Sequence, residues 1–259
     1  MKKIFFTFLL AINPLWVMAA QVCETLTVTG PPVSPPASWI EDGKLTGASV
    51  RYVEIIAQQA GVKKIVFKAY ANWADALNAA RLGEVDVIFS AAQSVTRARY
   101  LNFISPPYAS QFLYAIVRKG DKFSLLRYHD LINRKGAAGE QESFGQSTFG
   151  LFVESELTLE RAPNVGTLFD WLLSKKVDYI LAYENAAYNE IFTRHLTDKV
   201  DIISTFPFHT DTYIAFSKRS DCFIGLEQAF STAITNDRIK KHTYFHLMNK
   251  YRDLFNSNH

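Results

Sequence analysis

Arginines at positions 97 and 99 stand next to the hydroxyls of Ser94 and Thr96, and loop positions Trp39, Trp73, Tyr108 and Ser143 add aromatic rings and a further hydroxyl. A planar guanidinium can hold a carboxylate through two parallel N–H bonds. Hydroxyls and backbone N–H groups can complete the anion's shell, and aromatic walls keep water from it. The set therefore points to binding of a small carboxylate. No glycine-rich phosphate loop, zinc-protease histidine pair or nucleophile elbow occurs in the 259 residues, so no residue pattern announces catalysis. His242 and His246 lie four apart on a predicted helix, but without a third ligand nearby they read as surface histidines. No metal and no cofactor are expected.

Residues that bind as a set need elements to bring them together, and the chain repeats one such element. Trp73 to Phe89 and Phe169 to Leu181, about ninety residues apart, each run from an amphipathic helix through a tight polar turn into a Val-Asp strand (Val85-Asp86, Val177-Asp178). An unbroken apolar run of strand length suits a parallel strand buried on both faces. Two α/β lobes would leave a cleft at the carboxyl ends of their strands, where open α/β sheets bind ligands. Helix-turn-strand units recur in any α/β protein, so the repeat alone leaves that simpler reading open. Around it, the pattern predicts strands at Thr25 to Thr29, Lys64 to Lys68 and Phe112 to Val117, and a turn at Glu41-Asp42-Gly43-Lys44. It predicts a helix from Ala48 to Ala60, a helical stretch from Leu125 to Ile132 and helices from about Gly145 and Glu184. Strands at Val200 to Ser204 and Thr212 to Ser217 precede two final helices, with lobe crossings near Tyr108 to Phe112 and Phe208 to Thr212. The lobes so predicted are residues 21–111 with 212–259, and residues 112–211.

Met1-Lys2-Lys3, the apolar run Ile4 to Ile12 and the small residues Ala19-Ala20 have the form of a secretory signal peptide, residues 1–20. Asn13 and Pro14 interrupt a stretch already short of the ~20 residues that span a bilayer. Its removal takes the 28 basic residues to 26 against 25 acidic, a net charge of +1, which argues against nucleic acid as partner. A periplasmic location follows as the expectation. In an oxidising compartment the two cysteines, Cys23 and Cys222, can pair, provided both ends of the chain lie in one lobe; two buried thiols are the alternative.

The motifs Asp42-Gly43-Lys44-Leu45-Thr46-Gly47, Gly83-Glu84-Val85-Asp86, Ser94-Val95-Thr96 and Arg97 through Tyr108 resemble, in order, the periplasmic solute-binding proteins of family 3, which deliver amino acids to ABC transporters. The resemblance runs from Thr25 to about Tyr251. It implies a two-lobed type II periplasmic binding fold, hinge closure on an amino acid-like ligand, an inner-membrane permease as partner, and a monomer. By resemblance Arg97 is the carboxylate clamp, with Arg99 as alternative because the spacing after Thr96 is shortened. Ser94, Ala91 and Ala92 match contacts of the first lobe, Trp39 and Trp73 match aromatic walls, and Ser143 matches the second lobe's hydroxyl loop. Where the family's amino-acid binders place an aspartate this chain has Tyr183 followed by Glu184, so either Glu184 takes over or the ligand has no amine. A dehydratase-type enzyme and a sensory module remain alternatives on the same scaffold.

Overall fold

Strand β1 (Thr25–Thr29) sets Leu26 and Val28 into the core at zero exposure, with threonines alternating between them. The computed structural model describes residues 23–145 and 148–258, and the expected signal peptide lies outside them. After the proline-rich segment, β2 (Val33–Ser34), β3 (Ser38–Glu41) and β4 (Lys44–Thr46) form a small antiparallel sheet. Its turn at Asp42 and Gly43 has φ of 50° and 74°, the left-handed pair of a two-residue hairpin loop. Helix α1 (Ala48–Gln59) buries Val50, Val53, Ile56 and Ala57, as its spacing predicts, and strand β5 (Lys64–Phe67) follows.

The two repeated units then form. Helix α2 (Trp73–Leu82) starts where Asn72 accepts the N–H of Asp75 at 2.9 Å, ends at Gly83 with φ 80°, and leads into β6 (Val87–Ala92). After β7 (Leu101–Phe103), β8 (Ala109–Arg118) and β9 (Gly136–Gly139) come α3 (Thr148–Glu156) and β10 (Leu159–Ala162). The second unit is α4 (Val165–Leu173), capped by Asn164 on the N–H of Thr167, followed by β11 (Tyr179–Tyr183). Helix α5 (Glu184–Thr193), strand β12 (Val200–Ser217) and helices α6 (Phe223–Lys240) and α7 (Thr243–Asn258) complete the chain.

One nine-stranded sheet runs in the order β10-β9-β11-β8-β12-β6-β1-β5, with β7 paired to β12. Parallel sets at either end (β5, β1, β6 and β10, β9, β11) are joined through the antiparallel pair β8 and β12. Two apolar clusters draw only on residues 113–203, and two others only on residues outside that range. Helices α1 and α6 cover one of these, with Tyr244 and Leu247 of α7 packed against it.

The structure differs from the sequence pattern in three places. The crossing expected as a break near Phe208 to Thr212 is continuous strand: β12 pairs with β8 from Val200 to Ile203 and again from Phe208 to Thr212. The register shifts between Ile203 and Phe208. The helical stretch from Leu125 shortens to a 3₁₀ turn, Tyr128–Leu131. His242 stands between α6 and α7 with φ 49°, so it does not share a helix with His246, and the described residues contain no cluster able to hold a metal.

Cys23 and Cys222 form a disulfide, joining a residue two positions before β1 to the N-cap of α6. Both ends of the described stretch thus pack on the same apolar cluster. No helix among the described residues is long and apolar enough to cross a membrane.

Candidate functional site

A cavity of about 290 Å³ opens where both sets of parallel strands end. Its walls are Pro31 to Ser34 after β1, Ser90 and Ala92 at the end of β6, Gly139 to Ser143 after β9, Pro163 and Asn164 after β10, and Leu181 to Tyr183 at the end of β11. Gln111 of β8 and Thr212 of β12 lie on the joining strands. The size is at the lower end of the ~300 to 1,000 Å³ typical of small-molecule sites, which suits a single small solute and not a peptide. Asn72 and Asn164, the caps of α2 and α4, both line it. Two helix N-termini therefore face the cavity with their positive ends, which favours negative charge on a ligand.

Arg97 is the cavity's cation, only 5% exposed. The 3₁₀ turn Arg97–Arg99 holds it, with Ser94 Oγ accepting the N–H of Arg97 at 3.2 Å. Its guanidinium donates to the carbonyl of Ala92 at 2.9 Å and to that of Gln141 at 2.6 Å, and lies 5.7 Å from the ring of Trp73. The side chain thereby ties the end of β6 to the loop after β9. A guanidinium carries five N–H donors, so two carbonyls leave others for a carboxylate. Arg99 is exposed and outside the cavity. A 3₁₀ turn advances ~120° per residue, so two positions on a side chain points elsewhere.

The loop opposite is held by its carbonyls. Arg161 donates to Gly139 O at 3.1 Å and Glu142 O at 3.4 Å, Arg97 to Gln141 O, and Tyr183 Oη to Ser143 O at 2.5 Å. Burial, with the Glu142 carboxyl nearby, pushes the Tyr183 phenol well above its ordinary range, so it remains a donor at any physiological pH. Burial also raises the carboxyl of Glu142, against the opposing pull of Arg97 and Arg161.

Of the residues expected from the sequence, Trp73, Ala92, Arg97, Ser143 and Tyr183 line the cavity. Five do not. Ala91 is fully buried in the apolar cluster behind β6, because strand residues alternate faces. Ser94 serves the backbone of Arg97 instead of the cavity. Arg99 faces away, as above. Glu184, at the start of α5, accepts the Tyr114 hydroxyl at 3.0 Å outside the cavity. Trp39 is buried beneath α7, its ring edge-on to Tyr251 at 6.1 Å and Phe255 at 5.2 Å, because the small sheet turns it inward to cover the C-terminal helix. Trp39→Phe is therefore expected to lower stability by ~1 to 3 kcal/mol through the cavity left behind, with ligand affinity unchanged. Urea unfolding and calorimetry on the same variant check both halves.

Sequence reasoning missed Ser90, Asn72, Asn164, Glu142 and Glu190, all of which line the cavity. Ser90 has φ 58° inside β6, and pairing with β12 slips between Tyr213 and Ala215, so two residues of β6 oppose one of β12. Such a bulge re-aims a side chain, and Ser90 comes to the wall with its Oγ 2.7 Å from the hydroxyl of the buried Tyr108. Periodicity cannot reveal a bulge. Glu142 stood in a recognised loop whose acid was passed over for its hydroxyl neighbour.

Comparison with known proteins completes the site. A family model for bacterial extracellular solute-binding proteins, family 3, matches residues 26–252. The chain belongs to this family. A probable histidine-binding protein of Campylobacter jejuni is 26% identical to this family 3 protein over 201 residues, covering 72% of it and 76% of the relative. Among solved structures, a histidine kinase sensor domain with similarity to periplasmic binding proteins shares 23% identity at a TM-score of 0.68, over 88% of this chain and 95% of that one. An amino acid ABC transporter substrate-binding protein from Streptococcus pneumoniae, bound to L-arginine, shares 20% at 0.67, over 89% and 95%. These likenesses establish the two-lobed periplasmic binding fold for this chain.

Proposed function

We propose that this family 3 protein works in the periplasm, capturing a small amino acid or related carboxylate and presenting it to the permease of an ABC transporter. In this reading residues 21–111 with 212–259 form one lobe and 112–211 the other, and they close on the ligand about the β8 and β12 crossings. The observation that carries it is Arg97, buried against Trp73 in a cavity that two helix N-termini also face. Dehydrated, such a cation and two positive helix ends have differential affinity for a carboxylate, which supplies the energy for closure. Export, a monomeric state and the absence of catalysis belong to the same reading. The amino acid-binding relative and the L-arginine complex support the ligand class.

A sensory role is the second reading, favoured by the histidine kinase sensor domain of the same fold. Permease and ATPase genes beside this one would favour transport; a neighbouring kinase gene would favour sensing. For the ligand, a thermal-shift screen of amino acids, polyamines and organic acids decides. A true ligand at a hundred times its Kd stabilises by ~2.7 kcal/mol, a rise of ~5 to 10 °C for a chain of this size. No rise with any amino acid or carboxylate would sink the proposal.

A further inference from the structure

Three carboxylates reach the cavity wall, and they differ in what surrounds them. Glu140 is exposed at the rim. Glu190 is ion-paired at 3.3 Å to Arg194 of its own helix, and Arg194 in turn holds Asp170 at 2.6 Å. Glu142 is partly buried, and among the described residues its carboxylate accepts no hydrogen bond and closes no ion pair. Its backbone is pinned, since the carbonyls at 139, 141, 142 and 143 are all occupied by Arg161, Arg97 and Tyr183. Its side chain lies across Gly139, where a Cβ would come within 2.6 Å of Glu142 Cγ. The Arg97 and Arg161 charges act on this carboxylate without closing an ion pair or donating a hydrogen bond to it, so its oxygens are left to be satisfied by what fills the cavity. The raised carboxyl of Glu142 agrees: burial outweighs the opposing charges of Arg97 and Arg161, and no hydrogen bond adds to them.

We infer that Glu142 recognises a cationic group on the ligand, so that the solute carries an ammonium or guanidinium and is not a simple carboxylic acid. This rests on the reading of the cavity as a solute site and names the class of solute. Arg97 and Glu142, which both line the cavity, then meet opposite charges of one zwitterion, and Glu184 is released from that role by its bond to Tyr114.

The test is calorimetry on the oxidised protein and its Glu142→Gln variant, with L-histidine, L-arginine, putrescine and succinate as probes. The inference expects a cation-bearing probe to bind, and Glu142→Gln to weaken it at least tenfold while the unliganded melting temperature stays level or rises. Gly139→Ala, which displaces the same side chain, should weaken binding in the same direction. Putrescine binding that depends on Glu142, with neither amino acid binding, upholds the inference and removes the carboxylate reading. Succinate binding indifferent to Glu142→Gln upholds the carboxylate reading and overturns the inference. Loss at Glu184→Gln with none at Glu142→Gln overturns it as well, and no binding of any probe to the unaltered protein overturns both.

Discussion

Replacing Cys23 and Cys222 together by serine is expected to lower the unfolding free energy by ~2 to 5 kcal/mol. The bridge spans 199 residues, so in the unfolded chain it closes a loop containing nearly every described element. Opening that loop restores conformational freedom to the unfolded state, and the logarithmic growth of this term puts a loop of such length toward the upper end of the range. The folded state loses contact as well, since both cysteines pack against the cluster built on β1, α1 and α6. Urea unfolding of the unreduced protein and the double variant measures the difference. Thiol titration in denaturant is the independent check: the unreduced chain should present no free thiol, and two titratable thiols would refute the bridge.

Arg97→Ala is expected to cost ~2 to 5 kcal/mol of ligand binding, at least a tenfold loss, while Arg99→Ala costs nothing measurable. The contrast follows from exposure and bonding. Arg97 is buried and spans from Ala92 to Gln141, whereas Arg99 lies in solvent outside the cavity. Losing Arg97 removes both the carboxylate's partner and the tie between the β6 end and the loop after β9, so closure loses two contacts with one side chain. Arg97→Lys keeps the charge without the fork, and should recover only part of the affinity. Calorimetry with a ligand found by screening reads all three variants. A loss confined to Arg99→Ala would move the clamp to that position, and no loss at either would mean the ligand is not held as a carboxylate here.

Local chemistry determined much of the architecture. β1 occupies Thr25–Thr29 as its alternation predicts, and α1 ends one residue before its predicted limit. α2 and α4 start at asparagine caps, and the Asp42-Gly43 turn closes the hairpin its residues demand. In each case the deciding forces act within a few residues of sequence: capping bonds, left-handed glycine, or a face to be buried. Trp73 and Arg97, which the family resemblance singled out, line the cavity as well.

Tertiary structure alone decided what depends on a distant partner. β12 is one strand, and not two, because β8, about ninety residues earlier, pairs with both of its stretches. Trp39 went to the core and not to the cavity because α7, more than two hundred residues later, lies over it. Ser90 reached the cavity through a bulge defined only by its pairing with β12. Glu142 accepts no hydrogen bond because Arg97, Arg161 and Tyr183 are directed at the backbone carbonyls of its loop and not at its carboxylate. A residue's type limits what it can bond, but which groups come within about 3 Å of it is settled only when chain segments far apart in sequence pack together.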